Sequence, residues 1–187
     1  MNFPVFRWEQ FISDLAKGCP QQGLLYDFMF FWSHPGKTVW LLIACLVIAL
    51  IVIRGRHLLL PIILSSIAVG LSDLYSRRIV KAFVMRPRPR FVGQECLQSY
   101  CWGFVSSHST NIAAFATVMC LYDRRNLYWC VPLTLLVFTS RIYLLDHFPL
   151  DVLGGGISGV AIGSLVWSIG VGINSWFESR PPRQFSI

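Results

Sequence analysis

From Thr38 to Ile53 the chain runs without one charged side chain, closed by Lys37 before it and Arg54 after it. A helix rises about 1.5 Å per residue, so such a run approaches the ~30 Å hydrocarbon core of a bilayer. The long basic side chains at its ends can snorkel to the interfaces. Four further runs follow: Leu58 to about Val80, Ser107 to Tyr122, Leu127 to Leu145, and Pro149 to about Trp176. Inside a bilayer every backbone polar group needs a partner within the protein, and long apolar runs meet that need as helices. The expected fold is therefore an all-α membrane protein, a bundle of five transmembrane helices, or six if the N-terminal region spans once more. Composition agrees: 55% of residues are hydrophobic, mean hydropathy is +0.57 and only 13% are charged, about half the usual charged share of a soluble domain.

The hydrophobicity argues for one membrane-embedded unit. Residues 1–36 form an N-terminal region, 37–178 a transmembrane bundle and 179–187 a short basic tail. In the first region Val5, Trp8, Phe11, Ile12 and Leu15 share one helical face, with Arg7, Gln10, Asp14 and Lys17 on the other. That pattern suits an amphipathic helix lying on the membrane. Leu24 to Trp32 is apolar but too short to span and reads as a second interfacial helix. Arg7, Glu9 and Asp14 interrupt the apolar character, so no cleavable signal peptide is expected.

The net charge of +7 is interleaved with the spans rather than lined along a polar face, which argues against nucleic acid as a partner. Arg54 with Arg56, Arg124 with Arg125, and Arg180 with Arg183 fall on one side of a five-span arrangement. The positive-inside tendency makes that side cytoplasmic. Among the cysteines, Cys45, Cys120 and Cys130 read as apolar packing residues. Cys96 and Cys101 share an outward-facing loop, where a disulfide and two free thiols are both open.

Three clusters break the apolar pattern. Lys81 to Arg90 reads Lys-Ala-Phe-Val-Met-Arg-Pro-Arg-Pro-Arg, Val105 to Ser109 reads Val-Ser-Ser-His-Ser, and Ser140 to Asp151 holds an arginine, a histidine and two aspartates. Ionisable groups at membrane depth are expensive and mark functional sites by default. Gly155, Gly159 and Gly163 lie four apart on the last span, a small-residue stripe that allows a neighbouring helix close.

Lys81-x6-Arg88-Pro89, Ser106-Ser107-His108 and Ser140-Arg141-x5-His147-x3-Asp151 together resemble the three ordered signatures of the type-2 phosphatidic acid phosphatase superfamily. The middle signature usually reads Pro-Ser-Gly-His, so Ser107 departs from it. The resemblance implies a metal-independent lipid phosphatase with no cofactor. It implies that Lys81, Arg88 and Arg141 surround the phosphate oxygens, where arginine offers bidentate donors and lysine a point charge. Ser106 and Ser107 open a helix whose N-terminus suits an anion, and an N-cap serine fits the same place. His147 is the expected nucleophile, Asp151 its orienter and His108 the general acid and then base. Arg77, Arg78, Arg86 and Arg90 fit ordinary juxtamembrane charge better, with Asp73 offsetting Arg77, and Asp146 reads as structural.

The expected partners are a lipid phosphate and the membrane's own lipids. The expected reaction is hydrolysis of a lipid phosphate or diphosphate, such as undecaprenyl diphosphate, at the extracytoplasmic face of a bacterial inner membrane. Lipid A, phosphatidylglycerophosphate, phosphotransfer and a non-enzymatic lipid-phosphate binder or transporter are the alternatives. Oligomeric state is not legible.

Overall fold

The computed structural model describes residues 5–33, 58–93 and 98–178. Its elements are α1 (Arg7–Gly18), α2 (Leu24–Ser33), α3 (Leu59–Val84), α4 (Ser107–Tyr122), α5 (Leu127–Tyr143) and α6 (Pro149–Glu178). Among the described residues the chain is helical apart from turns and one isolated bridge between Pro87 and Trp102. The expected span at Thr38 to Ile53, the Arg54–Arg56 turn and the basic tail lie outside the described residues.

Local chemistry accounts for the boundaries. Ser106 caps α4, its side chain accepting from the Ser109 N–H at 3.4 Å and the Ser109 hydroxyl at 3.0 Å. Pro149 occupies the first position of α6, where its missing N–H costs nothing. Asp123 accepts from the Arg125 N–H at 2.9 Å and starts the single 3-10 turn that joins α4 to α5. α3 contains a π segment, Tyr75–Val80, in which the Lys81 N–H reaches back to the Ser76 carbonyl. α3 ends where Met85 turns left-handed at φ 45°.

α6 is the central helix, because the glycine stripe lets α4 lie against its backbone. A Cβ on Gly155 would stand 2.7 Å from the Ser106 carbonyl oxygen, one on Gly159 2.3 Å from that of Thr110, and one on Gly163 2.7 Å from that of Ala114. Leu64 and Ala68 of α3, Ala114 and Val118 of α4 and Val166 of α6 form the adjoining apolar core. The opposite faces stay apolar and open: Ile63, Ile67 and Leu71 on α3, Val131 and Leu135 on α5, and Ile157 and Val160 on α6 are all exposed. Leu59–Val84 and Pro149–Trp176 are long and apolar enough to cross a membrane.

α1 and α2, of 12 and 10 residues, are too short to span. Two faces were expected on α1, and the helix has a third. Trp8, Phe11 and Leu15 are exposed, as are Arg7, Gln10, Asp14 and Lys17, while Glu9, Ser13 and Ala16 are buried against the bundle. Small residues let the helix approach, and its bulky apolar side chains are left to point outward. A Glu at the buried position needs a partner of opposite charge.

Candidate active site

Between α5 and α6 the chain turns sharply. The Arg141 carbonyl accepts from the N–H groups of both Asp146 (3.1 Å) and His147 (3.2 Å), and Leu145 turns left-handed at φ 56°. This tight loop seats the histidine at the head of α6, one turn before Asp151. The described parts of the loop after α3, residues 85–93 and 98–106, lie against the same point. Its two halves pair through the Arg88 N–H to the Cys101 carbonyl (2.9 Å) and the Gly103 N–H to the Arg86 carbonyl (2.7 Å). Gly103 is required there, since a Cβ would stand 2.7 Å from Asp151 Oδ2. Cys101 is disulfide-bonded; Cys96 lies outside the described residues.

Arg77, Lys81, Arg88, Tyr100, Ser107, His108 and His147 line one cavity of about 280 Å³. Five of the eight residues singled out from sequence therefore meet around one space. His147 is buried and His108 exposed, so the two imidazoles occupy the inner and outer parts of the lining. Ser106, by contrast, is engaged as the N-cap of α4, and its N–H donates to the Asp151 carbonyl at 3.0 Å. Arg141 is buried beside the cavity, held by Asp146 at 3.0 Å and by the Ser33 carbonyl. Asp151 is fully buried, with Oδ2 accepting from the Phe148 N–H at 2.9 Å and standing 3.8 Å from His147 Nδ1. That separation is contact without a hydrogen bond.

Two residues depart from the sequence reading. Arg86 is 2% exposed rather than a surface charge, and it bridges Asp151 and Glu9 at 2.6 Å each. Asp146 does serve structure, but its carboxylate lies inside the cationic cluster, facing Arg141, Arg88 (3.5 Å) and Arg90. Arg86, Arg88 and Arg90 alternate within five residues, and that spacing does not tell which of them turns toward a buried carboxylate. The signal the sequence did carry was two carboxylates, Glu9 after Trp8 and Asp146 after Leu145, in segments expected to meet the bilayer. Arg77 does pair with Asp73, at 2.8 Å, while also lining the cavity.

The electrostatics suit a neutral inner imidazole. Burial, then the charges of Arg88, Lys81 and Arg141, push the His147 pKa well below its usual 6.5, and a backbone bond to Gly103 only partly opposes them. Burial and the nearby Arg90 lower Arg88 to about 10, so it stays charged at neutral pH. Burial works against charge on Arg86 too, yet its bonds to Glu9 and Asp151 raise it. Ser107 Oγ and Arg141 Nε are buried without a hydrogen-bond partner. Such donors are costly to leave unpaired and suit an anion. No group of three or more His, Cys, Asp or Glu that could hold a metal ion occurs among the described residues.

The profile of the PAP2 superfamily matches residues 56–174. Among solved structures, the chain is similar to the first transmembrane PAP2-type phosphatidylglycerolphosphate phosphatase from Bacillus subtilis. The two share 22% identity at TM-score 0.62, over 96% of this chain and 88% of that one. It is also similar to LpxE from Aquifex aeolicus, again at 22% identity, with TM-score 0.59 over 90% of this chain and 99% of that one. No curated protein sequence matches.

Proposed function

Starting from the fact that this chain belongs to the PAP2 superfamily of membrane lipid phosphatases, we propose that it removes phosphate from a lipid phosphate or diphosphate through a phosphohistidine. The observation that carries this reading is the shared cavity. Lys81 and Arg88 supply cations, Ser107 a buried hydroxyl, and His108 and His147 two imidazoles around one space of headgroup size. A mere binder needs the cations and has no use for the histidines.

His147, neutral because of its burial, attacks phosphorus; Asp151 faces Nδ1 and so leaves Nε2 as the nucleophile. The bond from phosphorus to the leaving oxygen breaks as that oxygen takes a proton from His108; it is the lipid alcohol oxygen of a monophosphate, or the bridging oxygen of a diphosphate, which departs as the lipid monophosphate. Lys81, Arg88 and Arg141 stabilise the charge on the equatorial oxygens. Water then attacks the phosphohistidine with His108 as base, the P–N bond breaks, and inorganic phosphate leaves. Asp151 stabilises the cationic ring that forms in between.

The exposed apolar belts on α3, α5 and α6 suit an amphiphilic substrate whose tail remains in the bilayer. Undecaprenyl diphosphate at the extracytoplasmic face of a bacterial inner membrane is the substrate we favour. Phosphatidylglycerophosphate is the second reading, supported by the name of the Bacillus subtilis relative. Purified protein should be offered both lipids, with lipid A beside them, and released phosphate measured. The reading expects His147→Ala and His108→Ala to lose at least about 10²-fold in rate with lipid binding retained. An acid-labile, base-stable phosphoenzyme should accumulate when His108 is replaced. Full activity in His147→Ala would end the proposal.

A further inference from the structure

Four buried ionisable side chains run in line from the N-terminal helix to the nucleophile. Glu9 Oε2 accepts from Arg86 Nη2 at 2.6 Å, Asp151 Oδ1 accepts from Arg86 Nη1 at 2.6 Å, and Asp151 Oδ2 faces His147 Nδ1 at 3.8 Å. Glu9 and Asp151 are 0% exposed and Arg86 2%. Glu9 is itself held in place. Its Oε2 also accepts from the Phe6 N–H at 3.1 Å, and its Oε1 from the Leu150 N–H at 3.2 Å, in the first turn of the helix that carries Asp151. The Arg86 guanidinium lies over the Phe148 ring, 4.9 Å from its centroid.

We infer that Glu9 is a positioning residue for hydrolysis: by sharing Arg86 with Asp151 it leaves the Asp151 carboxylate available to His147, which makes α1 part of the catalytic apparatus. The inference rests on His147 as the nucleophile. A lone arginine bonded to Asp151 would neutralise the charge that must support the ring once His147 becomes cationic. With Glu9 on its other side, Arg86 belongs to a neutral pair and Asp151 keeps its negative charge. Glu9 also sits where the N-terminus of α6 favours an anion, so the same carboxylate anchors the helix on which Asp151 stands. Such a buried line is weak support for stability, because removing two charges from water costs several kcal/mol per ion. Its placement against the nucleophile gives it a use.

The other groups facing this line are Lys81 and Arg88, which act on both Asp151 and His147, Arg141, which acts on His147, and the backbone groups of Phe148 and Gly103. Glu9→Gln keeps the shape of the side chain and removes its charge, so Arg86 turns wholly to Asp151. The kcat for phosphate release from a short-chain lipid phosphate in detergent should fall roughly 10- to 100-fold, the usual cost of losing an orienting partner, with KM within about threefold. The acid limb of kcat/KM should move to lower pH, because His147 loses support for its charged form. Arg86→Gln leaves two carboxylates without their shared cation and should move that limb to higher pH. Glu9→Asp, which keeps the charge on a shorter arm, should recover part of the kcat.

Melting midpoints are measured alongside, and rates are expressed per folded enzyme. If Glu9→Gln does not accumulate folded, Glu9→Asp carries the test through a lowered kcat at unchanged KM. Wild-type kcat and pH profile in the folded Glu9 variants would overturn the inference. So would limbs that shift the same way in Glu9→Gln and Arg86→Gln. His147→Ala, run in parallel, separates the two ideas: turnover at the wild-type level there sinks the nucleophile assignment, whereas a His147→Ala slowed at least about 10²-fold beside an unaffected Glu9→Gln sinks only the role of Glu9.

Discussion

Asp146 holds the same arginines that a phosphate would need, with Arg141 at 3.0 Å and Arg88 at 3.5 Å. A carboxylate in that place competes with substrate oxygens for the donors. Asp146→Asn should therefore tighten competitive inhibition by inorganic phosphate, by about tenfold if ~1.4 kcal/mol of competition is removed. Stability should drop at the same time, because Arg141 is 1% exposed and loses its buried partner. Unchanged phosphate inhibition would show that the carboxylate and the substrate do not share donors. The adjacent His147 sets the pH profile. Its pKa lies well below 6.5, so in the free enzyme the ring stays neutral as pH falls through 6.5 and protonates only further down. The acid limb of kcat/KM is expected below 6.5, and a limb at or above that value would contradict a buried, cation-ringed nucleophile.

At the scale of helices, the α4–α6 contact is tested by its glycines. Gly159→Ala would place a methyl 2.3 Å from the Thr110 carbonyl oxygen, and should destabilise by about 1–3 kcal/mol as the helices part. Gly172, on the same helix, has nothing within 4 Å of its would-be Cβ. Gly172→Ala should instead stabilise by about 0.5–1 kcal/mol through helix propensity. Thermal midpoints of the two variants should move in opposite directions. The Gly159 variant should also lose activity, since α4 carries Ser107 and His108 and α6 carries Asp151. The stripe was readable because its meaning depends only on spacing along one helix. The inward face of α1 was not, because Glu9, Ser13 and Ala16 form no apolar pattern; the partners of Glu9, Arg86 and the Leu150 N–H, lie far along the chain.

For the whole molecule, the proposed orientation places the turn at Asp123–Asn126 in the cytoplasm and the loop carrying Val92 outside. In a background whose reactive cysteines have been replaced, Val92→Cys should react with an impermeant maleimide in right-side-out vesicles. Asp123→Cys should react only after permeabilisation. The reverse pattern would put the site on the inner face. Phosphate release should persist in EDTA, the cations of the cavity taking the electrostatic part that a metal ion plays in other phosphatases.

Taken alone, the chain already settled what depends on composition, period and spacing. Hydrophobic runs long enough to satisfy their own backbone in lipid become helices, and three ordered polar clusters at their ends mark the family. Most of the boundaries were legible for the same reason: the N-cap at Ser106, the proline at 149 and the charged turn at 123 act within a few residues. Only the fold decided which of several similar charges turn inward. Arg86 and Arg88 are two residues apart and chemically alike, yet one is sealed between two carboxylates and the other lines the cavity. That choice depends on where Glu9, Asp146 and Asp151 sit in space, and burial is a property of the packed bundle that local sequence does not encode.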